Sequence, residues 1–304
     1  MFHLAHISDV HLSPLPPVSA GELFSKRITG YLNWRMNRAK THGANILEPL
    51  MADIAAAKPD HIAISGDLVN LALNAEFDAS LNWLKSIGTG EHISVIPGNH
   101  DAYVPGALTK ACAMWRDYMK SDSETKGFPF VRHRGPVAII GSSSAFPTLP
   151  FMASGFFGMK QAKRLAARLS EAKARGLFRV VMIHHPPFRY THDTFRRLHG
   201  ISLFQKTVLE AGAELILHGH THLASFNQIG QGDTAIPVIG VPSASQTFGG
   251  HMPAARWNGF AISGEAGAWN CLWSERGITD NNASIQAISE RPVWSNGKSI
   301  FVSG

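Results

Sequence analysis

The residues best equipped for chemistry in this chain fall in five short clusters. They are Asp9-Val10-His11, Gly66-Asp67, Gly98-Asn99-His100-Asp101, His184-His185-Pro186-Pro187 and His218-Gly219-His220-Thr221-His222. Asp and Asn offer oxygen donors and His offers nitrogen, with no thiolate among them. That set suits divalent Mn, Fe, Zn or Co. In Asp9-x-His11 and His220-x-His222 the one-residue gap puts both side chains on the same side of an extended segment. Each pair can therefore grip an ion from one wall. Glycine before Asp67, Asn99 and His220 lets the backbone turn sharply and come close to an ion. Taken singly, each cluster also reads as ordinary punctuation; IPGNHDAY at 96–103 contains the Pro, Gly and Asn that commonly reverse a chain. Five such clusters, each at the end of an apolar run, ask for one explanation.

Those runs are the elements that must position the clusters. Residues 2–7, 61–65, 92–96, 137–140, 178–183 and 214–217 are short, rich in β-branched residues and bounded by Gly, Pro, Asp or Asn, as buried strands are. Between them, residues 45–57, 75–87 and 159–175 place apolar side chains three and four apart, the helical stripe. Strand alternating with helix predicts crossover connections and a largely parallel sheet, with ligands bound beyond the carboxyl ends of its strands. After about residue 222 the segments FNQIG, AIPVIGV, WNGFAIS and AWNCLW are strand-like and separated by small residues. They predict a second, mainly antiparallel sheet packed on the first.

Composition limits the alternatives. With 304 residues, 44% hydrophobic and 16% charged, the chain can bury an ordinary core. It shows no repeat and no linker, which predicts a single domain over 1–304. Cys112 and Cys271 have no spacing partner, so neither a disulfide framework nor a cysteine zinc site is available. The start, MFHLAHISDVHL, lacks the features of a secretory leader, and no run reaches the length of a membrane span. A cytoplasmic location is the resulting expectation. A net charge of +6 favours anionic partners such as phosphate esters, nucleic acid or a lipid headgroup surface.

Together, Asp9-x-His11, Gly66-Asp67, Gly98-Asn99-His100-Asp101, His184 and Gly219-His220-x-His222 resemble the motif set of the calcineurin-like metallophosphoesterase superfamily. The resemblance covers residues 3 to 222 and all five motifs. It implies a four-layer α/β/β/α sandwich, with two packed mixed sheets and helices on the outer faces, and two divalent metal ions at the strand ends. Carried over by motif, Asp9, His11 and His222 hold the first ion, Asn99, His184 and His220 the second, and Asp67 bridges them. A shared carboxylate also makes physical sense, since it offsets the repulsion of two cations about 4 Å apart. The resemblance further implies attack on phosphorus by a metal-bound hydroxide. His100 would act on the substrate or donate a proton to the leaving group, and Asp101 would hold the other imidazole nitrogen.

Within the superfamily, the opening HISDVHL, the interval from Asp67 to Asn99 and His184-His185-Pro186-Pro187 resemble the class III cyclic nucleotide phosphodiesterases and related glycerophosphodiesterases. Hydrolysis of a small phosphodiester is the leading expectation. A phosphomonoesterase or lipid-linked phosphoester hydrolase using the same centre is the alternative. No stable nucleic-acid partner is expected.

Residues 14–44 form an inserted segment next to the first motif. In it, Phe24, Ile28, Tyr31, Leu32 and Met36 make an apolar stripe, while Lys26, Arg27, Arg35, Arg38 and Lys40 supply charge. This pattern fits either a cap packed over the site or a helix, over 22–40, lying on an anionic membrane surface. Arg189, Arg196 and Arg197 are candidate phosphate contacts. At least one of His192, His199 and His251 is expected to line the cleft, and His185 to support its neighbours. Residues from about 273 to 304 form a C-terminal extension that completes a sheet, covers the site or meets a partner subunit.

Overall fold

Five of the six residues of the first strand, β1 (Phe2–Ile7), are buried. A strand covered on both faces reads as a continuous apolar run, which is why it was legible. The computed structural model describes residues 1–23, 25–38, 44–123, 127–190, 194–280 and 284–300. The later strands are β2 (His61–Ile64), β3 (Ile93–Val95), β4 (Phe130–Arg134), β5 (Val137–Gly141), β6 (Gly155–Phe156), β7 (Phe178–Met182), β8 (Leu198–His199) and β9 (Leu215–His218). They continue with β10 (Ser225–Ile229), β11 (Ile236–Gly240), β12 (Arg256–Ser263), β13 (Asn270–Ile278), β14 (Ile285–Ser295) and β15 (Lys298–Ser299). The helices are α1 (Ala20–Leu23), α2 (Arg27–Asn33), α3 (Ala44–Ala57), α4 (Asn74–Ile87), α5 (Ala107–Met114), α6 (Arg116–Met119), α7 (Met159–Ala174) and α8 (Ile201–Ala211). A π-helical turn, Trp34–Arg38, follows α2 directly.

Two mixed sheets carry the fold. The first has the order β15-β14-β13-β12-β1-β2-β3 and the second β10-β11-β9-β7-β5-β4. In the second, parallel β5, β7, β9 and β11 are central and antiparallel β4 and β10 form the edges; in the first, parallel β1, β2 and β3 form one end and antiparallel β12 to β15 extend the sheet from β1. Side-chain alternation decides what each face meets. Val180 and Met182 of β7 and Leu215 and Leu217 of β9 join the core shared with the first sheet. Val181 and Ile216 point the other way, into a cluster with Leu165 and Leu169 of α7 and Phe204 and Val208 of α8. On the opposite outer face α3 packs over β12 and β14. The result is the expected helix–sheet–sheet–helix layering.

The allocation of the C-terminal strands differs from the sequence expectation. The segments after residue 222 do not form a sheet of their own. FNQIG and AIPVIGV become β10 and β11 and pair into the second sheet, while WNGFAIS and AWNCLW become β12 and β13 and pair onto β1. The C-terminal β14 and β15 extend that same edge. Pairing partners are non-local, so a local strand pattern does not specify them.

The inserted segment is broken rather than one helix, with α1, α2 and the π-turn in succession. Most of its stripe is exposed (Ile28, Leu32 and Met36), while Tyr31 packs, partly buried, against the core. Polar contacts add to that anchor. The Arg27 guanidinium donates to the carbonyls of Leu71 (2.9 Å) and Ala72 (2.6 Å). Gly30 lets the segment come close, because a Cβ there would collide with the Tyr103 hydroxyl and with Leu71. Phe24, Lys40 and His192, and the side chain of Arg38, lie outside the described residues.

Candidate metal centre

All the clustered residues sit where parallel strands end, and both sheets contribute. Asp9 and His11 follow β1, Asp67 follows β2, and Asn99 and His100 follow β3; His184 follows β7, and His220 and His222 follow β9. The loops are stitched to one another by main-chain bonds, Asp9 N–H to Gly66 (2.9 Å), His11 N–H to Asp67 (2.9 Å) and Gly219 N–H to His184 (3.1 Å). At the seam between sheets, Ser8 and Ser243 form a parallel bridge, and the Ser243 hydroxyl donates to the Asp9 carbonyl at 2.6 Å.

The backbone is bent unusually to aim these side chains. Asp9, His11, Asp67, His220 and His222 all have φ between +41° and +68°. For non-glycine residues this left-handed region is uncommon and costs energy, and such positions gather where function over-determines the geometry. Two glycines make room in the same place. A Cβ at Gly98 would strike the Asp67 carboxylate, and one at Gly219 would strike Ser8 and the Asp9 carboxylate.

Three of the four proposed ligand imidazoles spend one nitrogen on a main-chain carbonyl and keep the other for the centre. His11 Nδ1 donates to Val69 O (3.1 Å), His184 Nδ1 to Ser65 O (2.7 Å) and His220 Nε2 to Arg196 O (2.8 Å). Such outer bonds fix tautomer and ring orientation for metal ligation. The inward nitrogens then converge. His222 Nε2 stands 3.2 Å and His11 Nε2 4.0 Å from Asp9 Oδ1. Asp67 Oδ2 lies 3.4 Å from His184 Nε2 and 3.9 Å from His11 Nε2. Asn99 Oδ1 lies 2.8 Å from His220 Nδ1 and 3.2 Å from His184 Nε2. All seven proposed ligands are thus brought together.

These residues fit divalent ions on structural grounds. Asp9 Oδ1 is fully buried yet accepts no hydrogen bond, an arrangement that is expensive unless a cation completes it. Donor atoms of Asp9, His11 and His222, of Asp9, Asp67 and His184, and of His11, Asp67 and His100 lie within 4.8 Å of one another in each group. Electrostatics agrees. Burial works to lower the pKa of His184, but the carboxylates of Asp67 and Asp9 overcome it and lift the imidazole to about 9. The carboxylates thus hold a positive charge where a metal ion would sit. Burial and the charge on His184 push His220 down to about 3, leaving it neutral, as a ligand must be.

His100 is at the same centre. Its ring meets His11 edge-on, with centroids 4.8 Å apart, and its Nδ1 hydrogen-bonds to the Asn70 carbonyl at 2.5 Å. Its other face stacks on Tyr103 (5.5 Å, 13° between planes), and Lys26 Nζ sits 4.6 Å above the Tyr103 ring. The expected Asp101–His100 pair needs correcting. The Asn70 carbonyl takes the Nδ1 proton, and the Asp101 carboxylate instead accepts the N–H groups of Asp67 (2.8 Å), Leu68 (2.9 Å), Val69 (3.2 Å) and Gly98 (2.8 Å). Asp101 shapes the loops that carry Asp67 and Asn99. Burial and the neighbouring Asp67 push its carboxyl up, to about 8, against the pull of those N–H groups.

The cleft above has a volume of about 680 Å³. Asp67, Asn99, His100, His220 and His222 form its floor, and Lys26, Leu32, Met36, Tyr103, Phe151, Met152, Tyr190 and Arg196 line its walls. Lys26 bridges the walls, donating to Thr148 Oγ1 (2.6 Å) and the Met152 carbonyl (2.8 Å). Of the three candidate arginines only Arg196 lines the cleft; neither His199 nor His251 does. His185 donates from Nε2 to the Ala153 carbonyl (3.1 Å) and pairs through Nδ1 with Ser144 (2.7 Å), so it ties one wall to the floor. Tyr103, Phe151, Met152 and Tyr190 line the cleft without being marked by any motif, and the sequence marks Lys26 only as a charge on the inserted segment. Tyr103 stands three residues after His100, inside IPGNHDAY itself.

A family model described as calcineurin-like phosphoesterase matches residues 2–224. The chain belongs to that family. Its members are metal-dependent phosphoric ester hydrolases that typically bind two divalent ions. Solved structures share the fold at low identity. A dimetal phosphatase from Danio rerio aligns with a TM-score of 0.63 and 9% identity, over 97% of this chain and 99% of that one. The purple acid phosphatase PPD1 from yellow lupin (Lupinus luteus) aligns with a TM-score of 0.59 and 10% identity, over 96% of this chain and 53% of that one. A putative 5'-nucleotidase from Staphylococcus aureus gives 0.51 and 13%, over 100% and 56%. The chain spans about half the length of the last two. No curated protein matches it by sequence. Among the described residues, no helix is long and apolar enough to cross a membrane.

Proposed function

We propose that this protein is a phosphodiesterase that hydrolyses a small diester of the cyclic nucleotide or glycerophosphodiester type. The observation that carries the reading is the placement of His100. With Nδ1 held by the Asn70 carbonyl, its ring is packed against His11 and Tyr103 at the floor of the cleft, beside Asp67. An imidazole so held can protonate a departing alkoxide, which a diester with a poor leaving group requires. Asp9, His11 and His222 would hold one divalent ion and Asn99, His184 and His220 the other, with Asp67 between them. Bound there, the ions would activate water and neutralise charge on the phosphoryl oxygens. The chain's own part is to orient the ester. Lys26 and Arg196 flank the floor from the walls, and the breadth of the cleft leaves room for a substituent on each side of phosphorus.

A phosphomonoesterase is the second reading, favoured by the phosphatases and nucleotidase among the fold neighbours. A turnover panel on manganese-loaded protein separates the two: bis(p-nitrophenyl) phosphate, p-nitrophenyl phosphate, cyclic AMP and a glycerophosphodiester. The diesterase reading expects the diesters to be cleaved faster. Turnover of the monoester alone rejects it.

A further inference from the structure

The walls of the cleft are more apolar, and more exposed, than a phosphate site requires. Leu32 and Met36, four residues apart on the inserted segment, face the cleft from one side, and Phe151 and Met152 from the other. Leu32 is 52% exposed, Met36 69% and Phe151 84%. Single exposed apolar residues are normal on any surface. Several lining one concavity beside a polar centre mark a binding groove. Leu149 and Phe195, also largely exposed, adjoin this rim, since Met152 N–H bonds to the Leu149 carbonyl (3.1 Å) and Ala153 N–H to that of Phe195 (2.8 Å).

The rim is also held in place. Lys26 ties the inserted segment to Met152, Thr148 donates to the same carbonyl at 2.6 Å, and His185 ties Ala153 to the floor. The apolar wall therefore stands at a fixed distance from the metal ligands, as a preorganised subsite does. Its charges are one-sided. Asp67, on the floor, is the only carboxylate among the described residues lining the cleft, whereas Lys26 and Arg196 are both cations.

We infer that the natural substrate is amphiphilic: one arm of the phosphoester carries an alkyl or acyl chain that lies along Leu32, Met36 and Phe151 while its anionic head meets the metal centre and Lys26. This rests on the phosphoester reading of the site. It adds the chemistry of the group that leaves the centre toward solvent.

The test uses binding rather than turnover. Methyl-, butyl- and octylphosphonate, each below its micelle concentration, are titrated by calorimetry into manganese-loaded protein. A fully buried methylene is worth roughly fourfold in affinity, and an open groove about half of that in free energy. The four methylenes from butyl to octyl should therefore tighten binding about 15-fold. In the Leu32→Ser/Phe151→Ser double variant the octyl-to-methyl affinity ratio should fall toward one; both positions are exposed, so the fold should tolerate the change. Equal affinity across the series, a gain that survives both substitutions, or no binding of any phosphonate overturns the inference. A flat series with sedimentation of the protein on anionic lipid vesicles also overturns it, and assigns the rim to a bilayer surface instead. Phosphonates are not cleaved, so a diesterase reading that fails in the turnover panel leaves this result standing by itself.

Discussion

The floor and the rim of the cleft are built on opposite principles. On the floor, Asp9, His11, Asp67 and His184 are almost wholly buried, and His11, His184 and His220 are each pinned by a main-chain carbonyl. On the rim, Leu32, Met36 and Phe151 project from a short helix, a π-turn and a loop, in that order, into solvent. A burial pattern that fixes donor atoms serves the reaction shared by a whole family. An exposed wall is free to select what is attached to the phosphate. Substitutions in the two regions should therefore fail in different observables.

The largest effect is expected on the floor. Asp67→Ala should lose bound metal, read by elemental analysis, and lower turnover by about 10³-fold or more. If metal content stayed at the wild-type level, the bridging assignment would be wrong. Next, His100→Gln should keep the metals and lower kcat about 10²- to 10³-fold, with the steepest loss for esters with poor leaving groups. An equal loss for p-nitrophenyl and alkyl leaving groups would make His100 a binding residue only.

Asp101→Asn sharpens the boundary between floor and scaffold. It leaves four N–H groups with too few acceptors and should cost about 2 kcal/mol of stability, seen as a lowered Tm. The pH profile of kcat should keep its shape, whereas a carboxylate acting on His100 would shift it. The smallest effect is expected on the rim. Lys26→Met should raise KM roughly three- to tenfold with little change in kcat. Burial lowers the Lys26 amine to about 8, so it is charged below that pH and neutral above it. Wild-type KM should consequently climb as pH rises through 8, and Lys26→Arg, which stays charged, should remove that climb.

The clustered donor residues were legible because their signals are local: an apolar run, then Gly or Pro, then Asp, Asn or His. The fold class was legible for the same reason, since the strand–helix alternation that produces β1, α3, β2, α4 and β3 is written in short periods. What escaped was non-local. Asp101 neighbours His100 in sequence, but its acceptors are claimed by N–H groups at 67–69 and 98 that only the folded loops bring to it. The C-terminal strands look alike as sequence, and their pairing divides them between the sheets. The inserted stripe suggested a packed cap or a helix on a membrane surface, yet part of its anchor is Arg27 on two carbonyls, a contact that periodicity does not encode.

The seam at Ser8 and Ser243 gives the centre a mechanical meaning. Asp9, His11, Asp67 and Asn99 arrive with one sheet, and His184, His220 and His222 with the other, so ions held by both sets would act as rivets between two halves of the sandwich. The two sets of donors are distant in sequence, and neither sheet can present a complete set until the two have docked. Loading then belongs to the last stage of assembly, and ion concentration enters the folding equilibrium directly, because whatever binds only the docked form stabilises it by mass action. Chelation should open this edge of the sandwich first, which amide exchange in the loops after β1 and β9 would record while the opposite edge stays closed.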